Sequence, residues 1–244
     1  MVNKPPMVKP VAAFVLFIAV LFVYVIPVRA QSEDDLAQQD VKNRINRIID
    51  TAMGIAHDRA ADFNARIATI NEARPLELAN FDSSHIANNV TRVIDFSNYL
   101  AGFRRTDDSL GRALEDSLFI LHEEIPQTQD RVTLEAFQDS YATDLKAFDS
   151  YVETLGTLYS EVLDVLLFVQ QSSYEIHNDQ LQFRSQKDVA EYRKLMKPID
   201  ATSTALKKAS EESRKATALA NQKIAEINGG KIPATPASHK TKKP

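Results

Sequence analysis

The chain contains no cysteine. That excludes disulfides, thiolate metal ligation, thiol nucleophiles, covalent haem attachment and a lipidated N-terminal cysteine together. Tryptophan is absent as well, and only 6 glycines are spread over 244 residues. No glycine-rich phosphate loop occurs among them, and no serine sits in a glycine-flanked elbow. β-Branched runs are few, and the strand-helix alternation that builds parallel sheets is missing, so the all-β and α/β classes fall away. With 44% apolar and 25% charged residues, the composition is globular and sufficient for one sizeable core. The surviving class is all-α, and its stability has to come from packing.

What is present is helical periodicity. Between 134 and 169 the apolar residues are Leu134, Phe137, Tyr141, Leu145, Phe148, Val152, Leu155, Tyr159, Val162, Leu166 and Val169, and Asp139, Asp144, Asp149, Glu153 and Asp164 fall between them. Gaps of three and four residues define a helix with one apolar seam, which needs other helices laid along it. The run from Val162 to Val169 is apolar on more than one face, as expected at the centre of a bundle. It is far shorter than the twenty or so residues of a membrane-inserting segment.

Three other stretches supply the partners. From 33 to 74 a heptad seam runs through Val41, Ile45, Ile48, Ala52, Ala56, Ala60, Phe63, Ile67 and Ile70, and Pro75 ends it. From 84 to 125 the seam is Ile86, Val90, Val93, Leu100, Phe103, Leu110, Leu114, Leu118, Leu121 and Ile125, stopped by Pro126. It stays in phase across Gly102 and the charged cluster 104–108, which favours one kinked helix over two. Asp82 and Ser83 offer caps for its start. The two stretches match in length at roughly 63 Å, at 1.5 Å per residue, which suggests an antiparallel hairpin. Residues 173 to 185 are left as an overhang or crossover. Ser185 with Asp188 is a capping-box signal for a fourth, weaker helix, interrupted by Pro198 and closed by Gly229-Gly230. Its seam thins to Ser203, Leu206, Ser210, Ser213, Thr217, Ala220, Ile224 and Ile227. Such small side chains bury little area, so this helix is expected to be the least firmly held. The expected fold is an elongated antiparallel bundle of three to four long helices with coiled-coil-like seams.

The ends differ from the body. Residues 1 to 10 carry Lys4 and Lys9 without an acid, and the uncharged apolar run from Val11 to Val28 follows, then Arg29, Ala30 and the acidic Glu33, Asp34 and Asp35. This reads as an export leader over 1–30, cleaved before Gln31, with an uncleaved signal anchor as the alternative; both place the body outside the cytoplasm, in the periplasm, envelope or secreted fraction. The helical bundle is assigned to 31–228 and a disordered basic tail to 229–244. Residues 31 to 200 hold 17 Lys and Arg against 30 Asp and Glu, whereas 201 to 244 hold 9 against 3. An acidic body is a poor nucleic-acid ligand, and no nucleic-acid partner is expected. The basic end supplies Lys207, Lys208, Arg214, Lys215, Lys223, Lys231, Lys240, Lys242 and Lys243. These residues either offset the acidic body or grip an anionic surface such as lipid headgroups or an envelope polymer.

Chemistry is sparse. Four-helix bundles build di-metal sites from Glu-x-x-His pairs. Here the nearest approach is Asp82 with His85, and no acid stands three residues before His57, His122, His177 or His239. No catalytic residue, metal ligand or cofactor is assigned, and the chain is not expected to be an enzyme. Arg44, Arg47, Arg59, Arg66, Arg92, Arg104, Arg105 and Arg112 could gather an anion between helices, although Arg59 beside Asp58 and Asp62 looks like a solvated ion pair. Asn89-Val90-Thr91 is a glycosylation sequon, a pattern that arises easily by chance.

The expected function is that of an exported scaffold or interaction protein, working through its helical surface on a protein partner or a second copy of itself. The alternative is an extracytoplasmic four-helix sensory or ligand-binding bundle, membrane-anchored through 11–28. It is similar in outline to the helical sensing domains of bacterial receptors, a resemblance of architecture only. If the leader is cleaved, terminal sequencing of the exported protein returns Gln31 and the protein leaves the membrane pellet in a carbonate wash. Upstream residues in a wash-resistant pellet would establish the anchor.

Overall fold

The computed structural model describes residues 33–77, 80–124, 129–177 and 180–227. Four long helices, α1 (Glu33–Ala73), α2 (Ser83–Glu124), α3 (Gln129–Gln171) and α4 (Gln186–Ile227), account for most of them. A two-stranded hairpin, β1 (Tyr174–His177) and β2 (Gln180–Phe183), stands between α3 and α4. The described residues are thus all-helical apart from that hairpin and the short connections. The leader, the Gly229-Gly230 stop and the tail lie outside the described residues.

The helix boundaries follow from local chemistry. At the end of α1, Arg74 takes the left-handed conformation (φ 42°), which suits a helix C-cap. Asn80 reaches back from the loop and donates its Nδ2 protons to the carbonyls of Ala73 and Arg74, both at 3.1 Å. At the start of α2, the Asp82 carboxylate accepts the His85 backbone N–H at 3.0 Å. At the start of α4, Ser185 Oγ accepts the Asp188 N–H at 3.1 Å. Each cap satisfies backbone groups that a helix end leaves without partners. α2 runs through the charged cluster at 104–108 as one helix. α4 likewise continues through Pro198, which corrects the expected interruption. Pro198 is exposed while Ile199 beside it is buried. The carbonyl that loses its helical partner to proline therefore lies on the wet side, where water can replace the bond.

Packing starts from α3. Its expected seam residues Phe148, Val152, Leu155, Tyr159, Val162, Leu166 and Val169 are buried, and so are Tyr151, Leu158 and Val165. The additional positions turn a single seam into two faces, and the contacts show why: α3 packs along both α2 and α4. Against α2, Phe96 meets Tyr159 with ring centroids 4.8 Å apart, and Phe103 meets Phe148 at 5.9 Å. Residue numbers rise on one helix as they fall on the other, so the two run antiparallel. The same reversal relates α3 to α4, where Glu161 accepts a hydrogen bond from Thr202 and Asp144 contacts Thr217. It also relates α1 to α2, through Phe63 with Phe103 (4.9 Å) and Arg66 with Tyr99. Phe63 extends across to α3, 5.3 Å from Phe148 in an edge-on contact, and this aromatic layer joins α1 to the core.

Two expectations about the second half of the chain are corrected. The 173–185 interval, expected as an overhang or crossover, holds a β-hairpin. Its register pairs Tyr174 with Phe183 and Ile176 with Leu181, so two apolar pairs share one face of the ribbon. Phe183 lies 5.6 Å from Phe168 and 5.2 Å from Tyr192, and the Tyr174 hydroxyl donates to the carbonyl of Phe81. The hairpin is thereby fastened to the end of α3, the start of α4 and the connection ahead of α2. The second correction concerns α4, expected to be the most weakly held helix. Ser203, Leu206, Ala209, Ser213, Thr217 and Ala220 are all buried, and α3 with α4 forms the most extensive helix pairing in the fold. Small side chains let two backbones approach closely, so dispersion contacts offset part of the area that large side chains would have buried.

Leu155 is 0% exposed between the two neighbours of α3, while Glu153 is exposed. Replacing Leu155 with Asp buries an unpaired carboxylate and is expected to cost more than about 3 kcal/mol. Glu153→Ala should change stability by less than about 0.5 kcal/mol. Urea unfolding of the two variants checks this, and coincident curves would contradict the packing.

Candidate functional site

The arginines that could gather an anion between helices divide once placed on the fold. Arg47, Arg92, Arg104, Arg105 and Arg112 are exposed, as is Arg44. Arg59, half-buried, and Arg66, exposed, each lie over a ring of α2. The Arg59 guanidinium sits 4.4 Å above the Phe103 ring and donates from Nη2 to the Phe103 carbonyl at 2.8 Å. Arg59 is therefore a half-buried bridge to α2, not the solvated pair expected from its acidic neighbours. The Arg66 guanidinium lies 5.4 Å from the centre of the Tyr99 ring, and its Nε is 3.7 Å from Asp62. Burial, with Asp62 close by, pushes the Tyr99 hydroxyl well above the usual tyrosine range, against the opposing pull of Arg66 and Arg59. The phenol stays neutral at any physiological pH. This cluster fastens α1 to α2 and uses its cations in doing so.

Three of the five histidines and the sequon can be placed on the structure. His85 pairs through Nδ1 with the Asp82 carboxylate, which also caps α2. His57 and His177 are exposed. His122 and His239 lie outside the residues whose side chains are described. Among the described residues no group of three or more His, Asp or Glu could hold a metal ion. Asn89, the would-be glycan acceptor, is 3% exposed and faces the packed side of α2, where an oligosaccharide has no room.

Of the basic end, Lys207, Lys208, Arg214 and Lys215 are exposed on the outer side of α4, opposite its buried seam. Lys208 lies 3.6 Å from Glu212, so part of this charge is answered locally. The Lys223 side chain and Lys231, Lys240, Lys242 and Lys243 lie outside what the structure describes. Among the described residues no helix is long and apolar enough to cross a membrane; the apolar run 11–28 is not among them.

Sequence reasoning passed over one residue. Asp144 falls between seam positions and reads as solvent-facing, yet it is 6% exposed. Thr217 Oγ1 of α4 lies 2.5 Å from its Oδ1. Burial pushes this carboxyl above the usual aspartate range, and the Thr217 hydrogen bond partly opposes the shift. Ser140, one turn earlier, is also buried and donates to the Ala136 carbonyl at 2.7 Å. The signal in the sequence was the match between polar Asp144 on one helix and the small polar Ser213 and Thr217 in the thin seam of the other. Comparison with protein-family models, curated proteins and solved structures gives no match.

Removing the Arg59 side chain abolishes both a ring contact and a charged hydrogen bond across the α1–α2 interface. Arg59→Ala is expected to lower stability by about 1–2 kcal/mol. Arg59→Lys should recover less than half of that loss, because an ammonium lacks the planar fork that stacks and donates together. Thermal unfolding of the pair reads the difference.

Proposed function

We propose that this chain is an exported, non-enzymatic helical scaffold or interaction protein of the cell envelope or secreted fraction. In this reading the four helices form an elongated antiparallel bundle behind the leader 1–30. The observation that supports it is the distribution of the ends. With α1, α2, α3 and α4 alternating in direction, the start of α1 and the end of α4 fall at one pole. The hairpin falls at the other, roughly 60 Å away for helices of this length. The described chain thus begins and ends at the same pole, and the hairpin, with Ile176 45% exposed, is the part held farthest from those two ends. That is the geometry of a spacer that presents a tip.

The sensory alternative needs cations directed into an interhelical cleft. Among the described side chains, Arg59 and Arg66 lie over Phe103 and Tyr99 instead, which favours the scaffold. A thermal-shift panel of small anions, set beside affinity purification from envelope extract, separates the two readings. A saturable protein partner supports the scaffold; a small anion that raises the melting temperature with mass-action dependence supports the sensor.

The tail is the proposed contact with an anionic surface, through Lys223, Lys231, Lys240, Lys242 and Lys243, with Lys207, Lys208, Arg214 and Lys215 along α4. Glu33, Asp34 and Asp35 of α1, Glu123 and Glu124 of α2 and Asp130 of α3 stand at the same pole. Because α4 is packed on α3, the truncation that tests this ends at Ile227 and spares the helix. Binding of the mature protein to anionic vesicles is expected to weaken on truncation, by about 1 kcal/mol for each basic residue that reaches the surface, and to fall with salt. Equal co-sedimentation of both forms, or none at low salt, would leave the tail as a charge-balancing terminus.

A further inference from the structure

Thr217 Oγ1 stands between two oxygens. It is 2.5 Å from Asp144 Oδ1 and 3.0 Å from the Ser213 carbonyl oxygen. A hydroxyl has one proton to donate. If Asp144 is ionised, both neighbours are acceptors, and one of the two contacts brings oxygens together without a hydrogen between them. If Asp144 carries a proton, its O–H donates to Thr217 Oγ1 while the Thr217 O–H donates to Ser213. Both contacts are then satisfied, and both separations lie within the range of O–H···O bonds. The packing allows no easy escape to water, since Asp144, Ser213 and Thr217 are 6%, 3% and 7% exposed.

From this arrangement we infer that Asp144 and Thr217 form a proton-dependent latch, closed when Asp144 is a neutral acid, that holds the last turns of α4 against α3. Thr217 is followed by the buried Ala220 and then by the segment leading to the basic tail. Opening the latch would loosen the part of α4 from which that tail emerges. The inference rests on the α3–α4 contact and not on the proposed function.

The charged surroundings do not favour the ionised form. On α3 the neighbouring Asp139 and Lys146 are exposed and Asp149 is half-buried; on α4 Arg214 and Lys215 are exposed. α2 brings Arg104 and Arg105, both exposed, with Asp107 and Asp108 beside them in sequence, and α1 brings the exposed His57 and Asp58 and the half-buried Arg59 engaged with Phe103. Burial raises the pKa of the Asp144 carboxyl and the Thr217 hydrogen bond lowers it. The sign of the linkage follows. The folded chain keeps a proton at Asp144 that the unfolded chain gives up near the ordinary aspartate value of about 3.9. Stability from the latch is therefore greatest in acid and declines as pH rises from that value through the raised folded one.

Hydrogen exchange along α4 of the full mature chain tests the latch. After correction for intrinsic exchange, protection over 213–222 should fall relative to 195–206 as pH rises from mildly acidic to mildly alkaline. In Asp144→Asn, whose amide can donate to Thr217 at any pH, the ratio should stay level. A second readout uses the unaltered protein. NMR titration of aspartate carboxyl carbons should show one aspartate with a midpoint well above all the others. If the exchange ratio in the wild type does not change with pH, if it changes equally in Asp144→Asn, or if every aspartate titrates in the ordinary range, the latch is overturned.

Discussion

The constraint on which the fold depends is that α3 is apolar on two faces and must be covered twice. A helix with one seam is satisfied by one neighbour. α3 buries Tyr151, Leu158 and Val165 in addition to its heptad positions, which exposes too much apolar surface for any single helix to cover. α2 and α4 cover it from different sides, in the antiparallel sense that short connections impose. α1 is tied in more locally, through the Phe63 layer and the two stacked arginines on α2. The order of attachment therefore runs outward from α3, and the loss of α3's packing would separate α4 from the α1–α2 pair.

The two flanks of α3 are built on different principles. Toward α1 and α2 the interface is aromatic: Phe63, Phe96, Tyr99, Phe103, Phe148, Tyr151 and Tyr159 form a run of edge-on and tilted rings with large buried area. Toward the far end of α4 it is small and polar, with Ser203, Ser213, Thr217 and Asp144 buried beside Leu206 and Ala209. The aromatic flank supplies area and tolerates imperfect geometry. The polar flank supplies little transfer energy and depends on each hydrogen bond being made. A change that disturbs hydrogen bonding without altering volume should be felt mainly on the α4 side.

The helices were legible from sequence because their punctuation is strong. Pro75, Asp82, Ser185 and the heptad phase set boundaries that the structure reproduces to within one or two residues. The hairpin was missed although Tyr174, Ile176, Leu181 and Phe183 carry a period-2 pattern around the two-residue Asn178-Asp179 interval, a recognised hairpin signature. Four-residue strands are too short to stand out beside 40-residue helices. They are held here by Phe168, Tyr192 and Phe81, none of which is near them in the period-2 pattern. Arg59 was misjudged because its acidic neighbours in sequence were visible and the Phe103 ring on another helix was not.

Asp144 shows where the limit of sequence reading lies. A polar residue between seam positions faces water only if the seam is the sole buried stripe, and α3 has two. Which carboxylates become buried is then decided by the width of the second stripe, and that depends on the size of the side chains across from it. Opposite Asp144, α4 presents Ser213 and Thr217 rather than leucine, leaving room for a carboxyl group and one hydroxyl to bond with it. The thin seam that suggested a loosely held helix is thus what allows a polar contact in the α3–α4 interface. In the proposed latch, the proton count of that contact adds to packing in setting how tightly the end of α4 is held.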